Sequence, residues 1–437
     1  MIRAVLLLVI VVILIAAARS FLPEETSLVG SGAALAFGFV LLAALQSGTI
    51  FASFRLPRLT GYLMCGFIAG PSVLDFVTES MVRDLKLVNG VAIGLIALSA
   101  GGELNFKRLR PRLRAIVSVG AVSLLLAILF ISTACFLLSS QLPFMAGMSV
   151  FHRFVVSLTM GVVLSALSPA VTLALIAETG SSGPISETIL GIVVLADLAI
   201  VLCFAGANAL ANAVFGAVDG SAGGGAGELM VHLFGSMGGG AVLGLVLAFY
   251  LKTIAQRVAL FVFGILFLCA EAGARLHLDP LLMCLTAGLF LENATDIEGA
   301  KLVHDIESAS MPVFAVFFAV AGAGLHWDVF KRVISVAVVL AIVRAIALLL
   351  GSRIGMALGK VPAAHRKIIP YGTLSQSGVA IGLCVLLAKH FAGWGEHASA
   401  CLLGAVMINE LIGPVLFRGA LLRSGEAGRR EAVAGSH

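Results

Sequence analysis

Apolar stretches long enough to cross a bilayer follow one another along almost the whole chain, separated by short polar segments. A helix needs about 20 mainly apolar residues to span the hydrocarbon core of a membrane. Fourteen stretches approach or exceed that length, at residues 2–18, 28–51, 58–74, 87–104, 112–139, 153–177, 186–213, 228–251, 254–275, 279–294, 306–326, 331–357, 365–390 and 396–419. The pattern therefore predicts an all-α polytopic membrane protein with 13 or 14 transmembrane helices.

The first stretch leaves that number open. Arg3, an apolar centre and three alanines before Arg19 are also typical of a cleavable signal peptide. If the stretch is retained, the chain has fourteen spans, and if it is cleaved, thirteen remain. Residues 1–27 are therefore predicted to be either an extra N-terminal helix or a signal-like segment.

Composition and the placement of basic residues strengthen the membrane assignment and orient the chain. Hydrophobic residues make up 60% of the chain and charged residues 12%, whereas soluble domains carry about 25% charged residues. With the N-terminus in the cytoplasm, most of the 28 Lys and Arg residues fall on cytoplasmic segments, with a dense cluster at 107–114. This asymmetry follows the positive-inside rule. It predicts a multi-pass protein of the inner membrane with a cytoplasmic C-terminus and the lipid bilayer, not nucleic acid, as its partner.

Motifs of enzymes and of resident cofactors are missing from the sequence. The seven cysteines lie within apolar stretches without C-x-x-C spacing, and the nine histidines also lack ligand spacing. No P-loop, dinucleotide fingerprint or nucleophile elbow is present. The sequence thus predicts no enzyme activity and no cofactor.

An internal repeat relates the two ends of the chain. GIVVLADLA (191–199) matches GAVMINELI (404–412) at the glycine, one valine, the acidic position and the leucine after it. Upstream of each, LSALSPA (164–170) matches LSQSGVA (374–380), with offsets of 213 and 210 residues. The matched stretches cross the membrane in opposite directions on the predicted topology. This is the pattern of an inverted-topology repeat, which is common in secondary transporters.

The sixth and thirteenth stretches each contain hydroxyl side chains next to a helix breaker. These residues are Ser165, Ser168 and Pro169 in the sixth, and Ser375, Gln376, Ser377 and Gly378 in the thirteenth. Proline removes a backbone N–H and clashes with the preceding turn, and glycine loosens a helix, so both helices can unwind there. Two breaks that cross near the midplane would offer free carbonyls to a small cation. The alternative is an ordinary kinked helix whose serines bond back to the i−4 carbonyl.

Charged side chains inside the apolar stretches are the candidate site residues. Asp197 is the only charge between Glu187 and Asp219, and a bare carboxylate in a membrane helix indicates function by default. Arg344 is a second intramembrane charge and is expected to pair with a carboxylate. Glu410 is the repeat counterpart of Asp197. The sequence allows two roles for it: a group on the ion pathway, or a structural partner of Arg344. Its neighbour Asn409, together with Gln376, is a secondary candidate.

Five motifs in order resemble the bacterial cation:proton antiporter family, which includes Kef-type potassium and Nap-type sodium exchangers. Besides the Asp197 segment, they are LPRLTGYLMCGFIAGPSVL (56–74), IALSAGGELNFKRLR (96–110), LDPLLMCLTAGLFLEN (278–293) and PVFAVFFAVAGAGLHWDVF (312–330). The resemblance covers roughly residues 28–420. It implies an inverted-repeat antiporter fold with two crossed discontinuous helices, and a homodimer formed through a scaffold domain.

The resemblance also implies roles for individual residues. Asp197 matches the family's ion- and proton-binding aspartate, and Arg344 matches a basic residue that faces it. The helix breaks of the family match Ser168-Pro169 and Ser377-Gly378. Two positions depart from the family pattern: Ala196 stands where many members have Asp, Asn or Gln, and Leu167 stands where members often have Thr.

The domain prediction combines the resemblance with the repeat. Residues 28–111 and 254–330 are assigned to the scaffold, residues 112–213 and 331–419 to the two halves of the transport core, residues 214–253 to a Gly-rich loop and a linking helix, and residues 420–437 to a short cytoplasmic tail.

The predicted function is exchange of Na⁺ or K⁺ for protons by alternating access. The transported cation and the proton compete at Asp197, with Ser165, Ser168 and Ser377 as further ligands. Because Asp197 holds either the cation or the proton but not both, the exchange of one proton for one cation, which is electroneutral, is the simplest stoichiometry. Two alternatives remain at this point: a sodium-coupled symporter or organic-anion carrier on the same fold, and a membrane sensor that has lost transport.

Overall fold

The computed structural model describes residues 2–21, 31–215, 226–254, 257–276, 278, 280–295, 297, 299–324, 327–376, 378–391 and 393–429. In these ranges the regular structure is helical throughout, which confirms the predicted all-α class. The α-helices are α1 (Ile2–Phe21), α2 (Ser31–Ser53), α3 (Arg58–Ala69), α4 (Glu79–Asp84), α5 (Lys86–Glu103), α6 (Phe106–Leu109), α7 (Leu113–Leu137), α8 (Val150–Leu164), α9 (Pro169–Glu178), α10 (Pro184–Phe215), α11 (Ala226–Thr253), α12 (Val258–Leu276), α13 (Pro280–Ala294), α14 (Gly299–Ala323), α15 (Trp327–Leu358), α16 (Ile369–Gly372), α17 (Gly378–His390) and α18 (Gly395–Arg423).

Each of the fourteen predicted apolar stretches falls on a helix or, in two cases, on a pair of helices separated by a break. Within the described residues, six helical segments are long and apolar enough to cross a membrane by length and composition, and six further apolar helices are shorter. The two interrupted stretches are the predicted ones: α8 and α9 share the sixth, and α16 and α17 share the thirteenth. The Gly-rich segment 216–225 and the tail beyond Arg429 lie outside the described residues.

The chain divides into two compact units. The first comprises Met1–Asn105 and Leu233–Asp328, and the second comprises Phe106–His232 and Val329–His437. Both matched halves of the internal repeat lie in the second unit. The roles of scaffold and transport core, and the boundaries drawn for them from the sequence, stay predictions.

In the first unit, small residues let helices approach closely. α3 packs on α14, and α5 packs on α13. A Cβ added to Gly66 would overlap the backbone of Ala319, so glycine is required for this approach. At the end of α13, Asn293 donates a hydrogen bond to the carbonyl of Leu104 at 2.8 Å, which ties α13 to the end of α5. Close backbone contact through small residues is the usual way membrane helices associate.

In the second unit, the segment after α18 folds back onto the start of α10, the helix that carries Asp197. The buried carboxylate of Glu426 accepts hydrogen bonds from the backbone N–H groups of Ile185 at 2.7 Å and Ser186 at 2.9 Å, and from the Ser186 hydroxyl at 2.7 Å. Gly183, just before the helix, has φ +155°, and a Cβ there would lie 2.5 Å from Glu426 Oε1. The helix therefore receives its N-terminal cap from a residue far away in sequence, because the local residue is a glycine that leaves room for it.

Two further contacts fasten the same region. The N–H of Ser182 donates to the carbonyl of Glu426 at 3.1 Å, and the N–H of Gly428 donates to the carbonyl of Thr179 at 3.0 Å. Arg418 of α18 forms an ion pair with Glu178 of α9 at 3.4 Å. The end of α18 is thus fixed to the connection between α9 and α10.

Replacing Glu426 with alanine should destabilise the protein by about 1–2 kcal/mol, because two backbone N–H groups lose a charged acceptor at a helix N-terminus. The measurement is thermal unfolding of the purified protein in detergent. Glu396→Ala removes an exposed glutamate of α18 and serves as the matched control. Equal unfolding temperatures for the two variants would contradict the capping role.

Candidate functional site

The first helix break begins where α8 ends at Leu164 and closes where α9 begins at Pro169. Ser168 is the N-cap of α9, and its hydroxyl oxygen accepts a hydrogen bond from the N–H of Val171 at 3.1 Å. Pro169 occupies the first helical position, where its missing N–H costs no hydrogen bond. The Ser-Pro pair is therefore a helix start signal inside an apolar stretch.

Ser165 has a local role in the same break. Its hydroxyl donates to the carbonyl of Gly161 at 2.6 Å, four residues earlier. This is the back-bonding that the sequence left open as the alternative for these serines. The hydroxyl oxygen of Ser165 retains acceptor capacity, but its proton is committed to α8. Its role as an ion ligand stays a prediction.

The second break lies between Gly372, the last residue of α16, and Gly378, the first residue of α17. Residues 373–376 are buried. Thr373 donates its hydroxyl proton to the carbonyl of Pro370 at 2.8 Å, and Ser375 Oγ has no hydrogen-bond partner among the described residues. Ser377, a predicted ion ligand, lies outside the described residues.

Arg344 joins the two breaks. This side chain of α15 is completely buried, and its guanidinium donates three hydrogen bonds. Nε donates to the carbonyl of Leu164 at 2.9 Å, Nη2 donates to the carbonyl of Ala166 at 2.9 Å, and Nη1 donates to the carbonyl of Leu374 at 2.8 Å. The first two carbonyls belong to the first break and the third belongs to the second.

The carbonyls bound by Arg344 follow the internal repeat. Leu164 and Leu374 are matched positions in the two halves of the chain. One guanidinium therefore holds the same backbone atom of both halves. The meeting of the two breaks, predicted from the sequence, is made by a single planar side chain whose donors point in several directions.

The predicted partner of Arg344 was a carboxylate, and here the structure differs. The three hydrogen bonds that its guanidinium donates go to backbone carbonyls, and neither oxygen of Glu410 has a hydrogen-bond partner among the described residues. The physical reason is that unwound backbone supplies unpaired C=O groups, which must find donors when they are buried. An electrostatic role of Arg344 toward Asp197 stays a prediction.

The same finding changes the expected cation ligands. The sequence predicts that carbonyls freed at the crossing face a small cation. Three of these carbonyls are bound to a guanidinium instead, so that a positive charge already occupies the crossing. These three carbonyls are therefore already occupied by hydrogen-bond donors.

Two amide side chains add a second link between the breaks. Gln376 is buried and donates to the carbonyl of Leu164 at 3.0 Å, so this carbonyl accepts from both Gln376 and Arg344. Asn409 of α18 donates to Gln376 Oε1 at 2.8 Å. Two of the three secondary candidates, Asn409 and Gln376, thus lie in one hydrogen-bond network.

Acidic side chains are buried at three positions among the described residues: Asp197, Glu410 and Glu426. Asp197 is 6% exposed and lies near the middle of α10, which packs against α8, α9 and α16. Glu426 is the cap of α10 described above. Asp197 and Glu410 are therefore the buried acids that a helix cap does not explain.

Some polar residues of this unit were not identified from the sequence. The hydroxyls of Thr172 on α9 and Ser157 on α8 are buried and have no hydrogen-bond partner among the described residues. Thr172 lies one turn after Pro169, and this spacing was an available signal. Glu426 could not be recognised, because its partners lie about 240 residues away.

Within the described ranges, no group of three His, Cys, Asp or Glu side chains could hold a metal ion.

Arg344→Ala should lower the stability of the protein by several kcal/mol. The carbonyls of Ala166 and Leu374 would lose the donors that Arg344 supplies, and each buried unpaired carbonyl costs roughly 1–3 kcal/mol. Arg344→Lys should recover only part of the loss, because one ammonium group does not reproduce the planar fork. The measurement is thermal unfolding in detergent, with Arg353→Ala, an exposed arginine of the same helix, as control. A variant Arg344→Ala as stable as Arg353→Ala would show that the three hydrogen bonds do not hold the breaks together.

Comparison with solved structures shows the fold. The chain is similar to the sodium proton antiporter MjNhaP1 from Methanocaldococcus jannaschii in its pH 8 structure, with a TM-score of 0.65, 17% identity, and coverage of 90% of this chain and 98% of the other. An electron-microscopy structure of the same antiporter gives a TM-score of 0.66, 16% identity, and coverage of 89% and 96%. At these identities the likeness establishes architecture alone.

Sequence comparison shows the family. K(+) efflux antiporter 6 of Arabidopsis thaliana is 31% identical over 167 residues, which is 38% of this chain and 26% of that relative, so the match spans about a quarter of the relative's length. The transmembrane sodium/hydrogen exchanger family matches residues 37–421 and thus most of the chain, including both helix breaks. The chain is a multi-pass membrane protein that belongs to the sodium/hydrogen exchanger family.

Proposed function

We propose that this protein exchanges a monovalent cation, Na⁺ or K⁺, for protons, and that Asp197 binds both in turn. The observation that carries the proposal is the burial of this carboxylate in the middle of α10, a long apolar helix that packs against both broken helices. A buried charge of this kind is costly and is retained where it binds an ion or a proton. Membership of an exchanger family supports the same reading.

The proposed cycle uses competition at one carboxylate. When Asp197 holds a proton, the site is neutral. When a cation enters, the proton leaves, and the carboxylate neutralises the cation. Ser168, whose hydroxyl lies at the start of α9, is a proposed further ligand, together with Ser377. At Asp197 alone, one proton is exchanged for one cation, which is electrically neutral.

Arg344 has a fixed role in this cycle. Its guanidinium is bound to three carbonyls at the crossing. A charge held in this way keeps the two breaks together while the unit moves. Alternating access would follow from movement of the helices that carry the breaks against the other unit.

The choice of cation is expected to depend on two neutral positions. Ala196 and Leu167 are buried and offer no side-chain oxygen where many family members have one. With fewer ligands, the site selects less strongly between Na⁺ and K⁺, which differ in size and hydration. Exchange assays with each alkali cation measure the selectivity directly.

The organic-anion alternative is disfavoured by the state of Arg344. An anion carrier needs an exposed or uncommitted cationic donor at the binding site. Three of the five guanidinium N–H groups of Arg344 donate to backbone carbonyls, and the side chain is completely buried. Sodium-dependent uptake of a labelled organic anion by the reconstituted protein would reinstate this alternative, and absence of any ion flux would favour a sensor.

Localisation and assembly are proposed from the basic residues and the family. The excess of Lys and Arg on one set of loops supports an inner-membrane location with a cytoplasmic C-terminus. A homodimer through the first unit is the proposed assembly. Light scattering of the purified protein in detergent tests whether it is a dimer. Reporter fusions at the C-terminus test on which side of the membrane the C-terminus lies.

Asp197→Asn should abolish cation-dependent proton movement and leave the fold intact, because the amide keeps the volume but binds no proton and does not neutralise a cation. The measurement is recovery of a pH-sensitive dye in proteoliposomes after addition of NaCl or KCl. Glu396→Gln, an exposed carboxylate of α18, is the matched control and should exchange at the wild-type rate. Wild-type exchange by Asp197→Asn would refute the proposed site.

A further inference from the structure

Glu410 is a buried carboxylate without hydrogen-bond donors. The side chain is 2% exposed, and neither Oε1 nor Oε2 accepts a hydrogen bond from any residue that the structure describes. An ionised carboxylate in an apolar interior costs several kcal/mol unless donors or an opposite charge compensate it. The group therefore needs a ligand that neutralises it.

Glu426, a buried glutamate of the same unit, provides a comparison because hydrogen-bond donors of the protein surround its carboxylate. Its carboxylate accepts from two backbone N–H groups and one hydroxyl, all within 2.9 Å. Glu410 is at least as buried and has no such donor in the described ranges. Glu410 therefore lacks the hydrogen bonds that make Glu426 a structural contact.

The position of Glu410 connects it to the helix breaks. The preceding residue, Asn409, bonds to Gln376 in the second break. One turn later on the same face of α18, a Cβ on Gly413 would lie 3.0 Å from the Cα of Ser375 and 3.2 Å from the carbonyl oxygen of Leu374. The turn that carries Glu410 therefore packs on the second break, where Ser375 Oγ is also buried without a partner among the described residues.

The internal repeat gives Glu410 a counterpart. It occupies the position in α18 that Asp197 occupies in α10. In each half, the helix that follows the interrupted pair thus carries one buried carboxylate at the matched place. The two acids differ in their neighbours, since Asn409 precedes Glu410 and Ala196 precedes Asp197.

We propose that Glu410 is a second proton-binding group of the transport unit, which takes up one proton and releases it in each cycle. The inference rests on the proposed exchange at Asp197 and extends it. Protonation forms one O–H bond on the carboxylate with a proton from water on one side of the membrane. Deprotonation breaks that bond and gives the proton to water on the other side, with no change in oxidation state.

A proton fits this site better than a second metal cation. A monovalent cation requires several oxygen ligands, whereas a proton requires one carboxylate oxygen. The carbonyl of Leu374, which lies against the turn after Glu410 at Gly413, already accepts from Arg344. A second cation next to that guanidinium would be repelled.

The helices packed around α18 carry few titratable groups among the described residues. The helices packed on α18 are α8, α9, α16 and α17. Their described titratable side chains are at helix ends or at the surface, or are a buried thiol: His152 and Arg153 at the start of α8, Glu178 at the end of α9 paired with Arg418, Tyr371 on α16, and Cys384 on α17. Arg344 on α15 is therefore the charge that shares the second break with Glu410.

The proposal predicts a stoichiometry of two protons for each cation. Asp197 contributes one proton and Glu410 the second, so one net charge crosses the membrane in each cycle. The one-for-one exchange expected from the sequence counts Asp197 alone. Glu410→Gln, which keeps the shape of the protonated acid but binds no proton, should reduce the ratio from two to one.

The experiment measures proton and cation fluxes together in proteoliposomes at a clamped membrane potential. Wild type should move two protons per cation and respond to the imposed potential. Glu410→Gln should still exchange, with a ratio of one and no response to the potential, while Glu396→Gln should behave as wild type. A wild-type ratio of one, or a Glu410→Gln variant that keeps the wild-type voltage response, would overturn the proposal.

Infrared difference spectroscopy provides a readout that does not depend on flux. The carbonyl stretch of a protonated carboxylic acid should change between acidic and alkaline conditions in wild type and in Asp197→Asn, and one band should be lost in Glu410→Gln. Spectra of Glu410→Gln that retain every carboxylic acid band of wild type would also overturn the proposal. If the proposed exchange itself is wrong, the wild-type protein shows no cation-dependent proton flux. If only the second proton-binding group is wrong, the wild-type protein exchanges one proton for each cation.

Discussion

Burial of one guanidinium at the meeting of two broken helices is the constraint on which the second unit depends. Each break exposes carbonyls that a continuous helix would pair, and apolar surroundings offer them no water. A charged arginine buried without partners would be costlier still. Together they remove both costs, because the donors of Arg344 match C=O groups from the two halves of the repeat. The breaks and the arginine therefore require each other.

A second contact between distant parts of the same unit caps the start of α10. α10 begins after a glycine that cannot cap it, and the cap comes from Glu426 in the segment that follows α18. This contact fixes the end of the second repeat to the start of the helix that carries Asp197. Rigid placement of a carboxylate is what selective competition between a proton and a cation needs.

Local signals in the sequence account for most of what could be predicted. The apolar stretches gave the helices, and Ser168-Pro169 and Gly378 gave the breaks, because helix starts depend on neighbours within one turn. The partners of Arg344 and Glu426 could not be derived, because they are backbone groups, which have no signature in the sequence. A carboxylate was expected as the partner of Arg344 because only side chains can be read as partners from the sequence. In an unwound region the backbone itself supplies unpaired acceptors, which must find donors when they are buried.

The two halves of the repeat differ where their function is proposed to differ. In the second half, Asn409 and Gln376 form a hydrogen bond between α18 and the break, and the matched residues of the first half are Ala196 and Ala166. Both alanines are buried and neither can form such a bond. α10 therefore lacks the amide link that fastens α18 to its break. Loss of this link costs stability of the order of one hydrogen bond, about 1 kcal/mol. It leaves the first break freer to move relative to Asp197, as a site that must open to each side in turn requires.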